Sequence, residues 1–544
     1  MGDLGQSRVQ RLSQRIFLPL FVASFSASTY ALTTTSISMV PREFPFAIVK
    51  LMPLGFWVAT VLSLVLLVVA MAARVPEYLW APAVLLVILV AAVGDIVYAY
   101  PRAVFSTTAT QWISQTGTFH TVDEPLLCFP GSVMIFSFIA VLTDMSSTLV
   151  VKLFGVAYNL IVLLLSCASF RRLGVSPRSA LLASLVTVFS FYLQGALIYT
   201  SLLGFLFYIL IFGFALAPCS NKARNTLLVV VFFGSMVVSH AFSPFLTLGA
   251  MSLWLFGWRY ANLAATKLKL ATLGGDPPRL AHSTIIALVV VLVAYWSYFA
   301  VLPLYWGLSI VKTRDLLTLI LGAMSPIVSP QTIYARTYAS IVEAYPLALF
   351  SAFSIYLITV SDRRKLQLLL WILGLAIPLF AAVSGYVQEF TTRIFAFAIL
   401  PLSYGIARLF DSDHRVWRVV GLAVLLITLS LHLPAHYGQD SFQVIQDSEI
   451  KGLQSLGAHT SPDASLKSPL RELYQRYYVD IYRSQWDSTP RPGSYFVMNY
   501  KAGSWVLYTE GDESLASLIE RQNSNQYARI YSSGSFDIYW QDLR

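Results

Sequence analysis

The feature that most constrains this chain is a succession of uncharged apolar stretches, many of them about 17 to 25 residues long. As helices, each would cross a hydrocarbon core about 30 Å thick. Lipid offers no water to unpaired backbone groups, so spanning segments are helices or closed barrels, and these runs lack the alternation of barrel strands. The residue balance agrees: 57% are hydrophobic, 12% are charged and the mean hydropathy is +0.67, whereas a soluble domain has about 25% charged residues. A soluble protein is excluded. The formal charge of +10 is not a nucleic-acid signature, because most Lys and Arg stand in short loops beside the apolar runs, where they set orientation. Membrane lipids are the expected surroundings, and nucleic acid is not an expected partner.

The first apolar run follows Arg8, Arg11 and Arg15. It resembles a signal peptide but is too long and shows no small-residue cleavage site, so it is read as a retained first span. Cys128, Cys167 and Cys219 are scattered and lack metal spacing, which leaves neither a disulfide framework nor a zinc site.

Basic loops mark the cytoplasmic side: the N-terminus, Arg74, Arg171 to Arg178, Lys222 to Arg224, Arg259 to Arg279, Arg363 to Lys365 and Arg415 to Arg418. Spans near 16–40, 51–73 and 77–97 then leave segment 98–129 outside. Pairs near 179–198 with 200–217, and 225–240 with 244–258, turn outside at Tyr199 and at Ser239-His240. A span near 283–308 exits into an outer loop, 309–343, and spans near 344–360, 366–385, 390–408 and 417–433 complete the bundle. Stretch 130–169 has residues for two short spans, yet the charge rule demands an odd number there, and polar Thr143, Asp144 and Ser146 interrupt it. A half-inserted segment followed by one full span satisfies the rule and gives about 13 crossings; a basic loop that breaks the rule is the alternative. No internal repeat of the kind found in many transporters is evident.

From about Pro434 the composition turns to Ser, Asp, Gln, Tyr and Arg. SYFVMNY and SWVLYTE read as strands, SLASLIERQ as a helix and ARIYSSGSFDIYW as a hairpin. The expected fold is an α-helical polytopic membrane bundle, residues 1–433, with a small C-terminal α+β extracytoplasmic domain, residues 434–544. The expected location is a cell membrane, with the N-terminus cytoplasmic.

Several residues stand out against this frame. Asp95, in GDIVYAYP, is an acid at the outer end of an apolar span, a costly placement that marks either a functional site or an interfacial acid paired with Arg102. Segment 98–129 contains RAVFSTTATQWISQTGTFH, patterned as an interfacial helix, and ends in HTVDEPLLCFPG. Its Asp123 and Glu124 suit a divalent metal such as Mg or Mn, a sugar hydroxyl, or the capping of a turn before Pro125. In GYVQEFTTRIFAF, Glu389 and Arg393 stand four apart at the outer start of a span, as an ion pair or with Arg393 anchoring a phosphate. His240, in SHAFSP, reads as a hydrogen-bonded interfacial residue or a ligand. Loop 309–343 adds Lys312, Arg314, Asp315, Arg336 and Glu343, as a lid or as a solvated loop. Basic-loop counting uses no acidic residue, yet it puts Asp95, Asp123, Glu124, His240, Glu389 and Arg393 on one face. Acids facing bases beside a membrane suit a carboxylate that activates a nucleophile while cations stabilise a departing lipid phosphate.

In layout the chain resembles the GT-C superfamily of polytopic, lipid-phosphate-sugar-dependent glycosyltransferases, and in particular the archaeal membrane enzymes of that type. The resemblance rests on the acid ending an early span, Asp95; on DEPLLCFP closing the first outer loop; on SFRRLGVSPRSALLASL; on the Glu-Phe-Thr-Thr-Arg span; and on the terminal RIYSSGSFDIY hairpin. It implies a GT-C fold, an outward-facing site, a polyprenyl-phosphate-linked sugar donor and a lipid, glycan or protein acceptor. By the same resemblance Asp95 is the catalytic acid residue, Asp123 and Glu124 the second acidic site for metal or acceptor, and Arg393 a lipid-phosphate ligand, with Arg336 and Lys312 as further cations and His240 and Glu389 as supports. Two departures stand beside it. The Trp-Trp-Asp-x-Gly signature of oligosaccharyltransferases is missing, since the only Trp-Asp is Trp486-Asp487, and two spans rather than one precede that bearing Asp95. A transporter or flippase for a lipid-linked or small anionic substrate is the competing reading, and a structural or assembly protein the third.

Overall fold

Of the 544 residues, the computed structural model describes chiefly 19–30, 51–72, 129–190, 199–217, 221–267, 282–301, 332–362, 364–377, 387–437 and the strand residues 466–467, 495–499, 527–532 and 536–541, with isolated positions elsewhere. In chain order the helices are α1 (Leu54–Ala72), α2 (Gly131–Thr143), α3 (Ser147–Arg172), α4 (Pro177–Ser190), α5 (Tyr199–Leu216), α6 (Lys222–Ser239) and α7 (Ser243–Ser252). A single π turn, Leu253–Gly257, joins α7 to α8 (Trp258–Lys267); α9 (His282–Tyr298), α10 (Ile333–Thr359), α11 (Lys365–Leu375), α12 (Val387–Phe410) and α13 (Arg415–Tyr437) follow. Among the described residues, five helices are long and apolar enough to cross a membrane: those of α3, α6, α10, α12 and α13. The chain is a multi-pass membrane protein.

Short polar signals set the helix ends. The Ser146 hydroxyl accepts from the Leu149 N–H at 3.3 Å, the Asn221 side chain from Arg224 N–H at 3.0 Å, and the Thr332 hydroxyl from Ala335 N–H at 3.1 Å, satisfying donors that no helical turn precedes. Helix α3 stops at Gly174, whose φ of +79° lets Val175 N–H reach back to the Phe170 carbonyl at 3.1 Å. Asp144, at φ +54° and ψ +26°, ends α2 in the left-handed region. The polar interruption within 130–169 is thus the break between a short helix and a helix of full spanning length.

Apolar side chains fill the core and also cover the outside of the bundle. Leu164, Leu227, Val231, Val289 and Val293 face outward, whereas Ser166, Ser169, Ser184 and Thr187 are buried and return their hydroxyls to helix carbonyls, as Ser184 does to Ala180 at 2.7 Å and Ser169 does across to Ile209 of α5 at 3.2 Å. Lipid tails are as apolar as leucine, so helices associate through close backbone approach and hydrogen bonds, with small residues between them. Gly374 of α11 shows this: a Cβ there would lie 2.6 Å from the Ala250 Cα and the Gly249 carbonyl of α7. At the centre, α5 is buried between α3 and α6. Its Tyr208 accepts a hydrogen bond from the Trp371 indole at 2.9 Å and packs against Phe397 of α12 at 4.6 Å.

At one end of the bundle, three basic loops meet. Asp362, between α10 and α11, accepts from Arg408, Tyr356 and Tyr404, each at 3.1 Å, and from Arg364 N–H at 2.9 Å. The Arg364 guanidinium reaches the Leu173 carbonyl and the Tyr404 hydroxyl. Asp411, 3.6 Å from Arg408, accepts from Ser176 N–H at 3.0 Å. Loops that the charge rule assigns to one side therefore share one buried polar knot.

The strands form a sheet of order β1-β2-β4-β3, with β1 (Leu466–Lys467) parallel to β2 (Tyr495–Asn499), and β4 (Phe536–Gln541) antiparallel to both β2 and β3 (Tyr527–Ser532). Strands β3 and β4 pair as the expected hairpin, with a bulge between Arg529 and Tyr531; residues 533–535 between them lie outside the described residues. The expected strand SWVLYTE and helix SLASLIERQ lie outside the described residues.

Two boundaries differ from the sequence reading. Helix α10 begins at Ile333, so the last part of loop 309–343 is helical, because the Thr332 cap starts it and Pro346 is accommodated within it. The helix from Ser243 runs on to Lys267 through its π turn, beyond the expected end near 258, because the sequence after Trp258 holds good helix formers such as Ala261, Leu263 and Ala264 and no Gly or Pro before Gly274.

Candidate functional site

At the end of the bundle opposite the basic knot, α6 terminates at Ser239 and the chain reverses through His240, Ala241 and Phe242 into α7. His240 caps α6 in an extended conformation, φ −156° and ψ 137°, with its N–H on the Met236 carbonyl at 3.0 Å. Glycines allow two neighbours to approach this turn. A Cβ at Gly131 of α2 would stand 2.6 Å from the Ser239 Oγ, and one at Gly204 of α5 would stand 2.5 Å from the Ser243 Oγ and 3.2 Å from the His240 Cβ.

The His240 ring is buried. Its Nδ1 accepts from Ser243 N–H at 3.2 Å and lies 2.7 Å from the Ser243 hydroxyl. Since a backbone amide can only donate, Nδ1 carries the lone pair and the proton resides on Nε2. Burial first, and the positive charge of Arg393 second, lower the pKa of this turn residue well below the usual histidine value. His240 is therefore a neutral donor at physiological pH.

Arg393 comes from a different element, the first half of α12. Its guanidinium carbon stands 4.4 Å above the Phe242 ring, and Phe242 lies 6.1 Å from the His240 ring. This places a half-buried cation over an aromatic face. Arg393 stands fifteen residues before Arg408 (408 − 393 = 15), about 22 Å along the helix at 1.5 Å per residue, which separates this group from the knot by most of a bilayer's apolar thickness.

Of the two long connections predicted to lie on this face, 98–129 ends beside the turn and 309–343 ends beside the start of α12. Phe129, at the close of segment 98–129, packs on Trp296 at 5.7 Å and Tyr295 at 6.1 Å, in a small cluster with Ala241 and Ala300. Arg336 and Glu343 lie exposed on the first turns of α10. That end of α10 is held to α13 by Tyr338 donating to the Ala435 carbonyl and Tyr345 to the Thr428 carbonyl, each at 3.1 Å. Phe395, two residues beyond Arg393, joins Ile341, Val342 and Leu431 around the buried pair Tyr345 and Ala435.

The structure thus brings together His240 and Arg393, and sets Arg336 at the same end. Asp95, Asp123, Glu124 and Lys312 lie outside the described residues; Glu389 belongs to the first turn of α12 by its backbone, its side chain being outside them also. Among the described residues no cluster of three or more His, Cys, Asp or Glu suits a metal ion. Two groups escaped the sequence reading. One is the knot centred on Asp362, whose signal was an acid set among the bases of SDRRK. The other is His432 and His436, one helical turn apart in LHLPAH of α13, their rings stacked at 5.2 Å, with His432 Nδ1–H donating to the Phe189 carbonyl at 3.0 Å.

Comparison with known proteins adds little at the level of sequence. No family model matches the chain, and no curated protein matches it. Among solved structures, ArnT from Cupriavidus metallidurans bound to undecaprenyl phosphate aligns over 85% of this chain and 98% of its own, at 10% identity and a TM-score of 0.48. The arabinofuranosyltransferase AftD from Mycobacteria aligns over 86% of this chain and 40% of its own, at 14% identity and a TM-score of 0.48. Similarity at this level does not establish a shared fold.

Proposed function

We propose that this protein is a membrane glycosyltransferase of the GT-C type, which moves a sugar from a polyprenyl-phosphate-linked donor to a lipid, glycan or protein acceptor on the outer face of the membrane. The observation that carries this reading is the grouping of Arg393, Phe242 and His240 at the end of the bundle opposite the basic knot. Arg393 supplies a fixed, always charged donor fork at a membrane boundary, the geometry that recognises a phosphate by paired hydrogen bonds. His240, neutral with its proton on Nε2, adds hydrogen-bonding capacity without a second charge. The GT-C resemblance of the sequence, with Asp95 ending an early span, supports the same assignment.

In this reading the Asp95 carboxylate takes the proton of the acceptor nucleophile as that atom attacks the anomeric carbon. The bond from the anomeric carbon to the phosphate oxygen breaks, and the polyprenyl phosphate leaves with its negative charge held by Arg393, assisted by Arg336 and Lys312. Asp123 and Glu124 bind the acceptor or a Mg or Mn ion. The test is transfer by the purified full-length protein from a panel of polyprenyl-phosphate-linked hexoses and pentoses, with Asp95→Asn alongside. The variant is expected to lose activity by about 100-fold or more, in the range of general-base removal, while keeping its elution profile in detergent. A fully active Asp95→Asn would sink the assignment.

A further inference from the structure

From Met145 to Gly275 the sequence contains no Asp or Glu, while Arg171, Arg172, Arg178, Lys222, Arg224 and Arg259 all fall within that stretch. The positive-inside rule accounts for bases in loops but not for so long an absence of acids, since acidic residues contribute little to orientation. The fold gathers four of these cations at one corner. Arg171 and Arg172 close α3, and Lys222 and Arg224 open α6. Helix α5 packs between the two, and its Phe214 is the meeting point. The Arg172 guanidinium stands 4.2 Å over the Phe214 ring, the Asn225 amide donates to the Phe214 carbonyl at 3.2 Å, and Phe232 of α6 packs on the same ring at 5.7 Å. All four cations are exposed, and none is ion-paired among the described residues. Of the described acids at this end, Asp362 and Asp411 are engaged by Arg408, Arg364 and Ser176, and Asp413 is exposed in the loop between α12 and α13. Below the cations, toward the middle of the bundle, both flanking helices present apolar surface: Leu164 at 58% exposure on α3, and Leu227 at 62% and Val231 at 50% on α6.

We propose that this corner is a binding site for an anionic membrane phospholipid, with its phosphate held between the end of α3 and the start of α6, and its acyl chains lying along α3 and α6 over the partly exposed Phe214. The ordering of features is that of a lipid: charge at the water boundary, an aromatic floor, then apolar walls. Each basic residue near an anionic headgroup strengthens binding by about fivefold. This site lies at the end of the bundle away from Arg393 and is independent of the glycosyltransferase reading.

The experiment titrates the full-length protein, purified in neutral detergent, with phosphatidylglycerol or phosphatidylcholine, and reads bound lipid by native mass spectrometry. A preference of about tenfold or more for phosphatidylglycerol is expected. Arg172→Gln combined with Arg224→Gln, two losses of about fivefold each, should abolish a preference of that size, while Arg259→Gln, an exposed cation on α8 outside the corner, should leave it within about twofold. Thermal midpoints of the variants confirm that they remain folded. Equal binding of the two lipids overturns the proposal. So does an equal loss with Arg259→Gln, which would make the effect a diffuse surface potential, or displacement of the lipid by millimolar inorganic phosphate, which would make the corner a site for soluble anions.

Discussion

Arg393 and His240 affect each other through a shared aromatic neighbour, so substitutions there separate binding from folding. Replacing Phe242 by Leu removes the aromatic face beneath the guanidinium and should cost about 0.5–2 kcal/mol, the range of cation–π contacts from exposed to desolvated. Thermal inactivation in detergent reads this directly. For His240 the sign with pH is definite. Its folded pKa is depressed, so the unfolded chain takes up a proton first, and stability present above the ordinary histidine value of about 6.5 is lost as pH falls below it. A stability profile between pH 7.5 and 5 should fall steadily, and His240→Gln should flatten that fall; an unchanged slope would show that the histidine is not the group responsible. Asp362 belongs to the same scale. Its carboxylate is 7% exposed and its partner Arg408 25%, and Asp362→Asn leaves the guanidinium without its main counter-charge. The expected loss is about 2–4 kcal/mol, below the value for a fully buried pair because Arg408 reaches solvent.

At the scale of elements, close helix approach is the property most easily tested. Gly374→Ala places a methyl group against the backbone of Gly249 and Ala250, where nothing flexible can yield, and should cost about 1–3 kcal/mol. Gly234→Ala of α6, whose nearest neighbour would be a Val291 methyl at 3.9 Å, should be neutral or gain up to about 1 kcal/mol from helix propensity. If both behave alike in thermal inactivation, the α7–α11 contact is looser than described. The sequence foretold these elements because apolar length and basic loops are properties of single segments. The break at Asp144 could be read because three polar residues interrupt an apolar run. The early start of α10 could not, because Tyr338 and Glu343 look like loop residues until α13 supplies carbonyls for Tyr338 and Tyr345. The knot was hidden for the same reason: Asp362 stands at the end of α10 and Arg408 and Asp411 at the end of α12, and only packing of these ends with each other and with the loop after α3 makes them one group.

Across the whole molecule, the two ends of the bundle have opposite characters. One end is tied by a saturated ionic knot beside an acid-free basic corner; the other gathers Arg393, Phe242 and His240 with the starts or ends of α2, α6, α7, α9 and α10. Charge counting anticipated that polarity, since it set His240 and Arg393 on one face before any contact was known. What it could not supply was their meeting over Phe242, an aromatic with no charge pattern to betray it. The proposed glycosyl transfer at that end requires a lipid phosphate to be held there, and this is the claim most exposed to measurement. The most direct test is binding of a short-chain polyprenyl monophosphate, against the matching polyprenol, to the full-length protein and to Arg393→Gln. The wild-type protein should prefer the monophosphate by about tenfold or more, as a charge-assisted bidentate contact provides, and Arg393→Gln should lose that preference while retaining affinity for the polyprenol. Equal binding of the two compounds by the wild-type protein, or an undiminished preference in Arg393→Gln, would contradict the account.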